Sequence, residues 1–252
     1  MTRPALRRFL IGAIAAPLAF GLAACGESAE DGASASVEPI AEIAAPDGKT
    51  WSEVVAKTEE GGYLMGNPDA PIKLVEFGAL SCSHCATFAQ ASAPELKESF
   101  VNSGRVSFEL RHFMLSPLDI AGTLLATCGS TEAVIPLSDQ FWGWQSEMFK
   151  NMQGADQARL QAIDEMPPEK RFASLAEITG MTQFFASRGV SAAQGSVCLN
   201  DEAKVEALVN QTEHANEELD VTGTPTFMIN GRKVNGNTWS AIKTELENMG
   251  AR

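Results

Sequence analysis

The sequence predicts an α/β fold interrupted by an all-helical insertion. Three observations carry that prediction. An apolar run at residues 72–77 is followed by a helix and then by an alternating run at 106–113. From 117 to 200 apolar residues recur only at helical spacing, and after residue 220 come a hairpin and a closing helix.

The elements follow in chain order. Residues 63–66 and 72–77 read as strands around the turn Asn67-Pro68-Asp69-Ala70-Pro71, and the nearly unbroken apolar character of the second makes it central. A helix opens at the Cys82-Ser83-His84-Cys85 stretch, and Pro94 should kink or restart it. The strand at 106–113 then lies parallel to the one before the helix, as a crossover connection requires. In the helical block Leu124 and Leu125, Phe141, Trp144 and Met148, and Phe184 and Phe185 are read as core. A helix over 201–219 carries Val205, Leu208, Val209, Thr212 and Leu219 on one stripe, with Glu202, Glu206, Glu213 and Glu217 as a solvated face. Asn230-Gly231 marks the hairpin turn, and residues 239–249 form the last helix.

Composition bounds the function. The chain has 252 residues, 44% of them hydrophobic, which is enough for one well-buried domain with a large insertion. Nineteen Lys plus Arg against 32 Asp plus Glu give a formal charge of -13, which disfavours attraction to nucleic-acid phosphates. Arg3, Arg7 and Arg8 precede an apolar run at 9–24 broken by Gly12, Pro17 and Gly21, the architecture of an export signal rather than of a spanning helix. The run ends Leu22-Ala23-Ala24-Cys25-Gly26, which resembles the lipobox of bacterial lipoproteins. By that likeness Cys25 becomes the lipidated first residue of the mature chain; ordinary secretion with cleavage near Ala24 is the alternative. Residues 26–50 are rich in Ala, Ser, Gly, Glu, Asp and Pro, a composition expected to form a flexible tether.

The chemistry gathers at Cys82 and Cys85. A sulfur at a helix start faces unpaired backbone N–H groups and the positive end of the helix dipole, so its thiolate is favoured. A protonated His84 would add a cation beside it. Cys-X-X-Cys is also half of a zinc clip, but Cys128 and Cys198 stand alone and far apart, so no metal or other cofactor is expected. His112 and His214 read as ordinary surface or packing residues.

The stretch from Val75-Glu76-Phe77 through Cys82-Ser83-His84-Cys85, followed by Val221-Thr222-Gly223-Thr224-Pro225-Thr226-Phe227, resembles the thioredoxin-fold oxidoreductases of the DsbA type. The likeness covers about residues 60–250 and implies a thioredoxin fold with an inserted all-helical domain. Its divisions are an export signal at 1–24, a flexible acidic tether at 25–50, a thioredoxin-fold domain at 51–115 and 212–252, and a helical insertion at 116–211. It also implies that Cys82 is the exposed attacking sulfur and Cys85 the buried resolving one. Pro225 would be cis, and Thr224 would pair its backbone with a substrate peptide. Glu76 would be a buried acid relaying a proton, or else a satisfied strand-end carboxylate. With Cys25, Cys82 and Cys85 assigned, Cys128 and Cys198 remain as a structural disulfide or as two buried thiols.

The implied activity is donation of a disulfide to unfolded or thiol-bearing exported proteins by a monomer tethered to a membrane on the periplasmic side. A quinone-linked membrane protein would reoxidise it. Ser83 departs from the Pro usual in this family, which leaves the direction of reaction open to a reductase or isomerase. A non-catalytic chaperone on the same scaffold is the remaining alternative.

Overall fold

The computed structural model describes residues 38–252; the expected export signal and Cys25 lie outside them. In chain order the elements are β1 (Val55–Lys57), β2 (Tyr63–Met65), β3 (Ile72–Gly78), α1 (Ser83–Glu95), β4 (Val106–His112), α2 (Pro117–Ala126) and α3 (Val134–Gln153). There follow α4 (Gln157–Asp164), α5 (Pro168–Ile178), α6 (Met181–Ala186), α7 (Ala192–Leu199), α8 (Glu202–Leu219), β5 (Thr226–Ile229), β6 (Arg232–Lys233) and α9 (Trp239–Asn248).

The strands form one mixed sheet in the order β1-β2-β4-β3-β5-β6, with β3 central and parallel to β4 from Ile72 opposite Val106 to Gly78 opposite His112. This is the thioredoxin fold with a helical insertion. Period-two alternation along β3 sends Ile72, Leu74 and Glu76 into the main core, while Val75 and Phe77 meet Ala215 and Leu219 of α8 on the other face. The hairpin turn is of the kind its sequence demands, with Asn230 at φ 49° and Gly231 at φ 77°.

Pro94 sits inside α1, which passes at Leu96–Val101 into a single wider helical turn. The insertion packs on an aromatic knot in which Phe141 stacks on Phe185 at 5.5 Å and Trp144 on Phe184 at 4.7 Å. Such pairs contribute about 1 kcal/mol each beyond their buried area. Cys128 and Cys198 are bonded, joining the end of α2 to α7 with Cα atoms 5.8 Å apart, so the reading as two thiols is set aside. The border placed at 211/212 falls inside α8, a continuous helix shared by both parts.

Residues 38–50 depart from the expected flexible tether. Ile40 N–H donates to Gly250 O, Ile43 N–H to Ser103 O and the Trp51 indole to Ile43 O, while Arg105 Nε donates to Ile40 O. Backbone groups make most of these bonds, so a polar composition does not prevent docking. β1 is also unforeseen: three residues on the sheet edge are too few to show a period.

Candidate active site

The position of Cys82 follows from local geometry. β3 ends at Gly78, a turn closed by Cys82 N–H on Ala79 O (3.1 Å) redirects the chain, and α1 begins at Ser83. Cys82 is thus the N-cap, with φ -78° and ψ 118°, and its sulfur accepts from Cys85 N–H at 3.2 Å, where a Ser or Asp oxygen would ordinarily serve. Gly78 is needed for close approach: a Cβ there would lie 3.1 Å from the Trp142 ring and 3.2 Å from Glu76 Oε1.

The cis Thr224-Pro225 bond lies opposite. As a thiol, Cys82 donates to Thr224 O at 3.3 Å. Thr224 Oγ1 is buried without a hydrogen-bond partner among the described residues, and it stands ready for a thiolate, which accepts but cannot donate.

The two sulfurs are electrostatically opposite. Cys82 is lowered from 9.0 to about 5, chiefly by a hydrogen bond from the Cys85 thiol, with help from Thr224 and the backbone N–H groups of Cys85 and His84 and against the effect of burial. Cys85 is pushed far up, first by burial and then by its bond to Cys82 and by the charge of Glu76. Cys82 keeps only 8% of its surface and Cys85 none, so the sulfur expected to be exposed sits in a notch rather than on an open surface. The His84 ring is exposed, and its backbone N–H is what reaches Cys82.

Glu76 lies in the core at 1% exposure, and its Oε1 has no hydrogen-bond partner among the described residues. It is therefore not a satisfied carboxylate. Burial raises it well above the ordinary range, with Asp139 and Cys82 adding to the shift.

Three residues that the sequence did not single out hold the reactive loop. Asp119, fully buried on α2, accepts from Ser81 N–H (2.7 Å), Ser81 Oγ, Ser116 Oγ and Leu115 N–H. Gln145 Nε2 on α3 donates to Leu80 O and Cys82 O, and the Trp142 indole donates to Ala79 O. Ser116-X-X-Asp119 is a helix-start spacing, the one signal that could have picked out Asp119. His112 is a packing residue: Ser138 Oγ donates to Val134 O and so has a lone pair left for His112 Nε2–H.

Cys82, Cys85, Glu76, Thr224 and Pro225 are brought together, whereas Cys128 and Cys198 lie apart in the insertion. Among the described residues no cluster of His, Cys, Asp and Glu could hold a metal ion, and no helix is long and apolar enough to cross a membrane.

Residues 58–248 match the family model described as Thioredoxin. A protein of Rickettsia bellii named putative protein-disulfide oxidoreductase is 23% identical over 203 residues, covering 80% of this chain and 69% of that one. The chain spans 62 to 69% of the length of the first curated relatives it matches. Among solved structures, one titled protein-disulfide isomerase from Novosphingobium aromaticivorans superposes with a TM-score of 0.70 at 29% identity, covering 74% of this chain and 96% of that one. The Wolbachia pipientis alpha-DsbA1 structure shares the fold at a TM-score of 0.58 and 20% identity, over 74% and 89% of the two chains.

Proposed function

This chain belongs to the thioredoxin family, and from that premise we propose that it is a DsbA-type protein thiol-disulfide oxidoreductase that donates the Cys82–Cys85 disulfide to thiol-bearing proteins. The carrying observation is the opposition of the two sulfurs, Cys82 lowered to about 5 and Cys85 pushed far up within one helical turn. A substrate thiolate attacks Cys82 sulfur, and the electron pair of the broken bond goes to Cys85, which takes a proton. A second substrate thiolate then attacks the substrate sulfur of the mixed disulfide, and Cys82 leaves as a thiolate held by the helix start. The substrate has lost two electrons and the enzyme has gained them. Thr224 presents its backbone to the substrate peptide beside cis Pro225, and Glu76 exchanges the proton of Cys85.

The same reading has the protein exported by residues 1–24 and tethered on the periplasmic side through a lipidated Cys25. It acts as a monomer and is reoxidised by a quinone-linked membrane protein. The test is Cys85→Ser, which removes the internal resolving thiol. Disulfide-linked adducts with exported proteins should accumulate on non-reducing gels, and their absence would remove the shuttle mechanism. The name of the Novosphingobium structure favours a second reading, in which the same site rearranges or reduces wrongly paired disulfides. The equilibrium potential against glutathione separates the two: a value near the reducing end of the family range, about -270 mV, assigns the protein to the reductive direction.

A further inference from the structure

Glu76 lies deep, and a proton that it trades with Cys85 has to reach water by some route. Cys85 has no exposed surface. The Glu76 carboxyl and the Trp142 ring meet around Gly78, where one added carbon would lie within 3.2 Å of both. Asp139 precedes Trp142 by one helical turn of α3 and so shares its face. It is half-buried and lines an opening of about 360 Å³ between Pro94 of α1, the start of α3, and Met65 and Phe108 of the sheet. That space has room for several waters, each occupying about 30 Å³ in the liquid.

We propose that Asp139 is the outer carboxyl of a two-acid proton route that links Glu76, and through it Cys85, to water in the opening beside Pro94. The proposal rests on the reading of Glu76 as the proton partner of Cys85. When substrate attack sends the bonding electron pair to Cys85, Glu76 in its acid form gives that sulfur a proton. Asp139 reprotonates Glu76, and water in the opening reprotonates Asp139. When a disulfide oxidant restores the Cys82–Cys85 bond, the proton of Cys85 leaves by the same two carboxyls and the electron pair passes to the oxidant.

Burial pushes Asp139 up to about 7, which lets it both take and give a proton near neutral pH. The other groups around it are Lys97 beyond α1, Glu132 before α3 and Glu76 on β3, with Arg188 held on Gln140 and His112 on Ser138.

The test uses the whole protein, reduced and then reoxidised with glutathione disulfide in a stopped-flow instrument from about pH 5 to pH 9. Glu76→Gln and Asp139→Asn should each slow closure of the Cys82–Cys85 bond about tenfold near pH 7, a modest share of what a placed acid or base contributes. Because they serve one route, the double variant should be no slower than Glu76→Gln alone. Asp139→Glu should restore most of the rate and the pH profile, an outcome that a merely structural role for Asp139 would not give. A slow Glu76→Gln beside a wild-type Asp139→Asn would overturn the Asp139 proposal and leave the Glu76 reading standing. A wild-type Glu76→Gln would overturn both. Multiplicative slowing in the double variant would overturn the single route.

Discussion

Reduction of the Cys82–Cys85 pair should change the stability of the protein by an amount that depends on pH, because Cys82 titrates only in the dithiol. Its folded pKa is about 5 and its ordinary value 9.0, so the stabilisation is complete above 9 and is lost as pH falls through 5. Between those limits the reduced form gains ~1.4 kcal/mol per pH unit relative to the oxidised form. From about pH 5, where Cys82 is half ionised, to about pH 7 that amounts to ~2.3 kcal/mol, which water at the partly open notch lowers to ~2 kcal/mol. The four-residue disulfide ring opposes this by constraining the unfolded oxidised chain, at ~2 kcal/mol, but that contribution does not vary with pH. The slope is therefore the diagnostic quantity. Paired thermal melts of the two forms should show the reduced form gaining about 4–8 °C on the oxidised form over this range. Cys85→Ala, which removes the largest cause of the shift, should raise the Cys82 pKa when thiolate absorbance is titrated. His84→Ser keeps the backbone N–H and should leave most of the shift in place. A melting difference that stays constant from pH 5 to pH 7 would refute the thiolate argument.

Asp119→Ala leaves Ser81 N–H and Leu115 N–H without their acceptor and should cost about 2–3 kcal/mol in urea unfolding. His112 is held near 4 by burial, below its ordinary 6.5. The unfolded chain therefore takes up the proton first, and stability falls as pH drops from 6.5 towards 4 by up to ~3 kcal/mol. Melts of the oxidised form should show that loss, and His112→Gln should reduce it. The Cys128–Cys198 bond spans 70 residues, so removing both cysteines should cost about 4 kcal/mol, while denaturing alkylation of the oxidised protein should leave both sulfurs unlabelled.

Much of the fold was legible because its signals are local. The apolar run of β3 marked the central strand, the change from period two to helical spacing marked the insertion, and Asn230-Gly231 marked the hairpin. Cys82 and Cys85 stood out because cysteine is scarce in the chain and its chemistry is narrow, whereas Pro225 stood out only through the family resemblance of residues 221–227. What stayed hidden depends on partners far along the chain. Asp119 reaches Ser81 across 38 residues, Gln145 reaches Leu80 across 65, and the docking of Ile40 needs a carbonyl at Gly250. Asp139 looks like any acid on a helix until the sheet places Glu76 nearby. Nor does composition report backbone hydrogen bonding, which is why residues 38–50 read as tether.

That docked segment is held at one end of the sheet. Ile40 and Ile43 are held beside Arg105 and Ser103, just ahead of the first residue of β4, whereas Cys82 follows the last residue of the parallel neighbour β3. The reactive notch and the mooring point are opposite poles of the sheet, separated by seven strand residues or about 23 Å. A peptide reaching the sulfur therefore does not have to displace Ile40 and Ile43, which are pinned at the far pole.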